Sequence, residues 1–179
     1  MSAVQFWLNL EQYPNAKLPE FGSELASGMD FFAAEDCELQ GFELQMSFEE
    51  SPGAVGPLNG KWLTLVAPKP TLVHTGVWLA GLEKDHELQV RSRSGNTLKC
   101  NFFVANQPGT VDPDYLGEVC AIIEYFGSGK YQIKQGQKIA QVVEMQVVRS
   151  RIEQVNKIVN QTKRGAGGFG STDKKEQVQ

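Results

Sequence analysis

Asn106 to Glu118 reads Asn-Gln-Pro-Gly-Thr-Val-Asp-Pro-Asp-Tyr-Leu-Gly-Glu and gathers several groups able to do chemistry. Pro108-Gly109 and Pro113-Asp114 are turn formers on either side of the β-prone pair Thr110-Val111. The pattern predicts a tight β-hairpin whose backbone amides and carbonyls face an open side. Asp112 and Tyr115, three residues apart, would set a carboxylate and a flat ring beside one bound molecule. A plain surface turn rich in Asp and Pro is the competing reading. Two further stretches carry donors. Arg93-Ser94-Gly95 is a short cluster of them in what reads as a turn after a strand, and Arg164 opens a glycine-rich tail that runs to Thr172. Four glycines between Gly165 and Gly170 would let backbone N–H groups approach phosphate oxygens closely, with hydroxyls from Ser171 and Thr172 nearby. Arg164 supplies a forked, permanently charged donor suited to phosphate. Phe169 is out of place in a flexible linker and fits a ring that covers something.

These groups need a scaffold, and the sequence offers strands. Trp62–Ala67, Thr71–Leu79, Glu87–Arg91, Phe102–Val104, Val119–Tyr125, Tyr131–Gly136 and Ile139–Val148 alternate or run apolar between Gly and Pro turns. Many short strands so punctuated argue for an all-β barrel or jelly-roll-like sandwich. Phe6 to Leu10 reads as an edge strand or a packed arm. Arg149 to Thr162 is polar and reads as a helix or an extended linker, with Ile152, Val155, Ile158 and Val159 at helical spacing. Thr172 to Gln179 reads as a solvated tail.

Composition narrows the partners. The 179 residues suit one domain with a substantial core. A net charge of −4 argues against a broad nucleic-acid surface and leaves room for a single nucleotide. The sequence has no apolar run long enough for a membrane span and no leader pattern at its start, so the expectation is a cytoplasmic protein without membrane contact. Cys37, Cys100 and Cys120 form neither a disulfide framework nor a close metal pair, and buried reduced thiols are expected. His74 and His86 show no ligand spacing.

Five motifs, in order, resemble those of the trimeric dUTP diphosphatase (dUTPase) family: Ser27-Gly28-Met29-Asp30, Arg93-Ser94-Gly95, Asn106 to Glu118, Gly136 to Gln141, and the tail from Arg164. The resemblance implies a distorted jelly-roll or β-barrel, assembled as a homotrimer with the C-terminal arm exchanged between subunits. It implies Mg2+-dependent hydrolysis of dUTP to dUMP and pyrophosphate, with Asp112 activating the water that attacks the α-phosphorus. Asn106, Gly109, Thr110, Val111 and Tyr115 would surround the deoxyuridine; Arg93, Ser94, Gly95, Gln141 and Arg164 would meet the phosphates. Phe169 would stack on uracil, with Gly170, Ser171 and Thr172 beside it. Asp30 would stand near the metal's water shell, and the magnesium would be held mainly by phosphate oxygens. The chain then divides into a β-domain over 1–148, a linker over 149–163 and an arm over 164–179.

Three departures from the family pattern stand out: Ser92 for a usual Pro, Asn96-Thr97 for small apolar residues, and Gln137 for a usual Asp. Residues 34–66 exceed the usual link between the first two motifs and read as an inserted hairpin or lid-like loop, a candidate protein contact. Two alternatives stay open. One is a dCTP-directed deaminase relative using Glu124; the other is a nucleotide-gated regulatory protein on the same fold.

Overall fold

The structure is a computed structural model that describes residues 3–47, 49, 54–59, 61–158, 162 and 164–167. The chain splits into two units, Met1–Val148 and Arg149–Gln179. The first is built from antiparallel strands around one core. No described helix is long and apolar enough to cross a membrane.

The strand that anchors the core is β3 (Met29–Phe32), all four residues of which are buried. It lies between β2 (Glu20–Phe21) and β15 (Lys138–Gln146), in a five-stranded sheet completed by β10 (His86–Arg91) and β12 (Gly109–Val111), in the order β12-β10-β15-β3-β2. A strand sandwiched between neighbours and covered on both faces is expected to read as continuously apolar, which is why Met-Asp-Phe-Phe stands out for its Asp. A second sheet that shares its core is β11-β13-β8, from β8 (Thr71–Val73), β11 (Phe102–Val104) and β13 (Ala121–Tyr125). Phe31, Leu88, Phe102, Val104, Ile123 and Ile139 from both sheets join one buried cluster. Two ribbons finish the unit: β1 (Gln5–Leu8) with β9 (Val77–Gly81), and β4 (Cys37–Gln40) with β14 (Lys130–Ile133). Phe6 packs edge-on against Phe31 at 5.7 Å, so the N-terminal segment is a paired strand tied to the core.

Three local expectations change. Thr71–Leu79 is two strands, not one. The break falls at His74-Thr75-Gly76, where Gly76 sits at φ +69, a conformation other residues rarely adopt, and where Thr75 and Gly76 turn their N–H groups to a carboxylate instead of a neighbouring strand. Arg93-Ser94-Gly95 is not a simple turn but the start of α1 (Ser94–Cys100). Asn106–Glu118 is not a self-paired hairpin either: β12 pairs with β10, Val90 opposite Gly109 and Leu88 opposite Val111, and the chain beyond Asp112 leaves in a turn.

Within the 34–66 stretch, β4 belongs to the main body through its pairing with β14. The remainder forms its own antiparallel sheet, β5-β7-β6, from β5 (Glu43–Ser47), β6 (Ala54–Leu58) and β7 (Lys61–Val66). Asn59, at φ 51, turns β6 into β7, a conformation Asn tolerates well. Leu44 lies opposite Leu65 and Met46 opposite Leu63, so these four side chains share one face. Leu44 and Met46 are 68% and 66% exposed. In the second unit, residues 149–158 carry neither helix nor strand, despite the helical spacing of Ile152, Val155 and Ile158.

Candidate active site

β12 is the outer strand of its sheet, so among the described residues no strand lies beside one edge of Gly109-Thr110-Val111. Beside it opens a cavity of about 270 Å³ whose lining includes Asn106, Gly109, Thr110, Val111, Asp112 and Tyr115. Val90, Val119 and Ile122 give it apolar walls. Asp112 is solvent-exposed, just beyond the strand's last residue. Its carbonyl accepts the Tyr115 N–H at 3.1 Å, closing the turn that brings the ring back over the cavity mouth. The Tyr115 hydroxyl donates to the Glu118 carbonyl at 3.0 Å, which fixes the ring's far end. At Gly109, a Cβ would come within 3.0 Å of the Asn106 amide nitrogen, so a side chain there would push Asn106 aside.

A second cavity, of about 360 Å³, takes its lining from the Ser27-Gly28-Asp30 turn, from Arg93-Ser94-Gly95 and from Gln141. Its centrepiece is an ion triad. Asp30 is only 8% exposed, and a carboxylate so placed needs compensation. Arg93 Nε donates to one of its oxygens at 2.8 Å and Lys138 Nζ to the other at 2.9 Å. Lys138 also meets Glu20 at 3.2 Å. Hydrogen bonds from Asp30 first, then Glu20, hold the Lys138 ammonium above its usual pKa. At Gly95 an added Cβ would meet nothing within 4 Å, so the space above it is open.

Ser92, marked in the sequence only as a departure, ties Gln141 of the second cavity to the strand and turn that lead up to Asn106. Its N–H donates to Gln107 Oε1, its hydroxyl accepts the Val104 N–H, and its carbonyl accepts Gln141 Nε2 at 2.8 Å. A Pro there would lose both the N–H and the hydroxyl contacts. Asn96 is likewise a buried hub: its amide donates to the Lys138 and Ile139 carbonyls at 2.9 and 3.1 Å, where β15 slips register against β3. Its departure from the family's small apolar pair was the available signal for it. Gln137 closes its own turn, accepting the Lys134 N–H and donating to the Tyr131 hydroxyl.

Glu118 went unnoticed in the sequence. One of its oxygens accepts the Thr75 and Gly76 N–H groups at 2.8 and 2.7 Å, and the other lies 2.8 Å from His74 Nδ1. Cys120 stands beside them, its thiol pushed up to about 12 by burial and then by the Glu118 charge. Both Glu118 and Cys120 line the Asp112 cavity.

The structure thus gathers Asn106, Gly109, Thr110, Val111, Asp112 and Tyr115 around one cavity, and Asp30, Arg93, Ser94, Gly95 and Gln141 around another. In the second unit, Arg164 Nε donates to the Gly167 carbonyl at 2.8 Å within a local turn. Phe169, Gly170, Ser171 and Thr172 lie outside the described residues.

Comparison with known proteins identifies the family. The dUTPase family model matches residues 61–173. A deoxyuridine 5'-triphosphate nucleotidohydrolase of Clostridium tetani is 36% identical over 160 residues, 89% of this chain and 91% of that one. Its counterpart in Wolinella succinogenes is 37% identical over 165 residues, 92% of each chain. Among solved structures, the dUTPase of Staphylococcus bacteriophage 80alpha, determined with dUPNHPP, superposes with a TM-score of 0.68 at 21% identity, covering 96% of this chain and 98% of that one. A mutant dUTPase from phage phi11 of S. aureus, described with a structural Mg(II) ion, reaches 0.64 at 20% identity, covering 89% of this chain and all of that one. The sequence matches span nearly the whole chain and the structural ones share its β architecture, so this chain belongs to the dUTPase family.

Proposed function

We propose that this chain hydrolyses dUTP to dUMP and pyrophosphate, with the Asp112 cavity as the deoxyuridine pocket and the Asp30–Arg93 cavity on the phosphate side. The observation that carries the reading is the meeting of an open backbone edge, an amide, a carboxylate and an aromatic ring around one small cavity. Uracil presents a donor between two acceptors, which the edge of β12 and the Asn106 amide can match. Cytosine would leave groups unpaired at about 1–3 kcal/mol each. Tyr115 would lie against the sugar and leave no room for a 2′-hydroxyl.

Asp112, exposed at the strand's end, would accept a proton from the water that attacks the α-phosphorus, with pyrophosphate leaving. Such help is worth about 10²–10⁴-fold. Arg93, oriented by Asp30, would hold phosphate oxygens with a forked donor, and Ser94 and Gly95 would approach from the start of α1.

A hard divalent cation suits this second cavity, whose Ser23, Ser27, Ser94 and Gln141 offer oxygen donors. Asp30 already serves two cations, so it fits an outer-sphere neighbour reached through water, and the triphosphate would carry Mg2+ in. The ion's contribution when bound is to neutralise phosphate charge. In the assembled homotrimer, the tail bearing Arg164, Phe169, Gly170, Ser171 and Thr172 would close over a neighbouring copy's site; its glycine-rich composition supports this. Three unpaired thiols suit a reducing cytoplasm.

The deaminase alternative loses support because Glu124, opposite Phe103 on β13, lines neither cavity. The regulatory alternative draws on the apolar face of β5 and β7, a surface suited to a protein contact. Pyrophosphate release measured with dUTP, dTTP, dCTP and UTP in the presence of Mg2+ tests the assignment. Selective turnover of dUTP is expected; equal rates on dCTP or UTP would remove it.

A further inference from the structure

In the wall of the pocket stands a cluster to which the proposed hydrolysis gives no role. His74, at the break between β8 and β9, and Glu118 and Cys120, ahead of β13, bring an imidazole nitrogen, a carboxylate oxygen and a thiol sulfur within 4.8 Å of one another. It is the only such grouping of three among the described residues. We infer that these three side chains form a binding site for a single thiophilic divalent cation of the Zn2+ class.

The geometry is close to what such an ion requires. Zinc bonds of about 2.3 Å to sulfur and 2.0–2.1 Å to nitrogen set a tetrahedral N···S edge of about 3.6 Å. Cys120 Sγ lies 3.7 Å from His74 Nδ1. The corresponding N···O edge is about 3.4 Å, so Glu118 Oε2, now 2.8 Å from that nitrogen, must withdraw by roughly 0.6 Å. The other Glu118 oxygen is anchored by the Thr75 and Gly76 N–H groups, so the carboxylate can pivot without losing its hold. Tyr13 stacks on the His74 ring at 5.6 Å with an interplanar angle of 25°, which sets the ring's orientation. Outer contacts of this kind are what position ligands in established metal sites.

Ligand chemistry selects the ion. Imidazole and thiolate suit zinc and its soft neighbours, whereas magnesium prefers all-oxygen cages. On binding, the Cys120 thiol proton leaves to buffer and His74 takes the tautomer with its proton on Nε2, so that a thiolate and a neutral imidazole give the metal their lone pairs. Three protein ligands leave a fourth position for water.

Titration of the full chain with Co2+, free of nucleotide, tests the site. One equivalent should produce a thiolate-to-cobalt charge-transfer band together with the intense visible bands of a four-coordinate ion. Cys120→Ser should abolish the charge-transfer band and His74→Ala should weaken binding by at least about 100-fold, since outer contacts alone account for about 10–100-fold. Cys37→Ser and Cys100→Ser should keep both features. A second readout needs no variant: Zn2+ should slow maleimide labelling of Cys120 by about 10-fold or more while leaving Cys37 and Cys100 unchanged. Absence of the band, its survival in Cys120→Ser, or uniform labelling of all three thiols with and without Zn2+ would overturn the assignment.

Discussion

Asp30 and Asp112 are both carboxylates beside a cavity, and the fold treats them in opposite ways. Asp30 is buried inside a sheet, clamped between Arg93 and Lys138. Asp112 stands in solvent at the end of an outer strand. A charge held by two cations is scaffold, because its work is to fix the direction of an arginine. A charge left in water remains available for proton transfer. The two cavities differ accordingly: ion pairs organise one, and the other offers the edge of an outer strand and an exposed carboxylate.

The sharpest way to break that contrast is Asp112→Asn. Turnover of dUTP should fall by about 10²–10⁴-fold, while nucleotide binding, followed by calorimetry, and the melting curve stay near those of the parent. Full activity would strip Asp112 of its proposed role. Asp30→Asn should do the reverse, acting on stability first: a hydrogen bond to a charged partner is worth about 1.5–3 kcal/mol, and denaturant midpoints should report a loss of that order. KM should rise with it as Arg93 loses its guide; an unchanged midpoint would mean the triad is not scaffold.

Glycines sharpen the same comparison. Gly95→Ala adds a methyl group into open space at the head of α1 and should leave the fold intact or firmer by about 0.5–1 kcal/mol, yet raise KM where phosphate must approach. An unaltered KM would move the phosphates elsewhere. The smallest effect belongs to the surface. Lys134 and then the Gln135 N–H hold the Asp36 carboxyl below its ordinary value of 3.8. A depressed carboxylate contributes stability above its unfolded pKa and loses it as pH falls through the folded one. In Asp36→Asn the decline in stability below about pH 3.8 should therefore be shallower. A parallel decline would leave that contact without weight.

How much could be read from the chain alone follows from range. Turn formers and donor clusters are local, so Asn106–Glu118 and Arg93–Gly95 declared themselves, and the apolar runs declared the strands. Partner choice is not local: nothing within Gly109–Val111 says that its neighbour is His86–Arg91. α1 was missed because Gly95, Asn96 and Thr97 are poor helix formers; tertiary bonds from Asn96 to the β15 carbonyls override that propensity. Glu118 was invisible for the same reason, since the amides it serves lie more than forty residues upstream. The three-stranded sheet within 43–66 was read as a hairpin or loop because Glu43–Ser47 announces no partner of its own, and that partner proved to be Lys61–Val66.

The proposed readout of the base through the edge of β12 has an evolutionary corollary. Recognition written in main-chain atoms is blind to which residue supplies them, so exchanges at the exposed Thr110 that keep the strand should drift with little effect on base choice. Insertions and deletions in that strand, or a proline, would not be forgiven. Selection on this pocket should thus police spacing more strictly than identity.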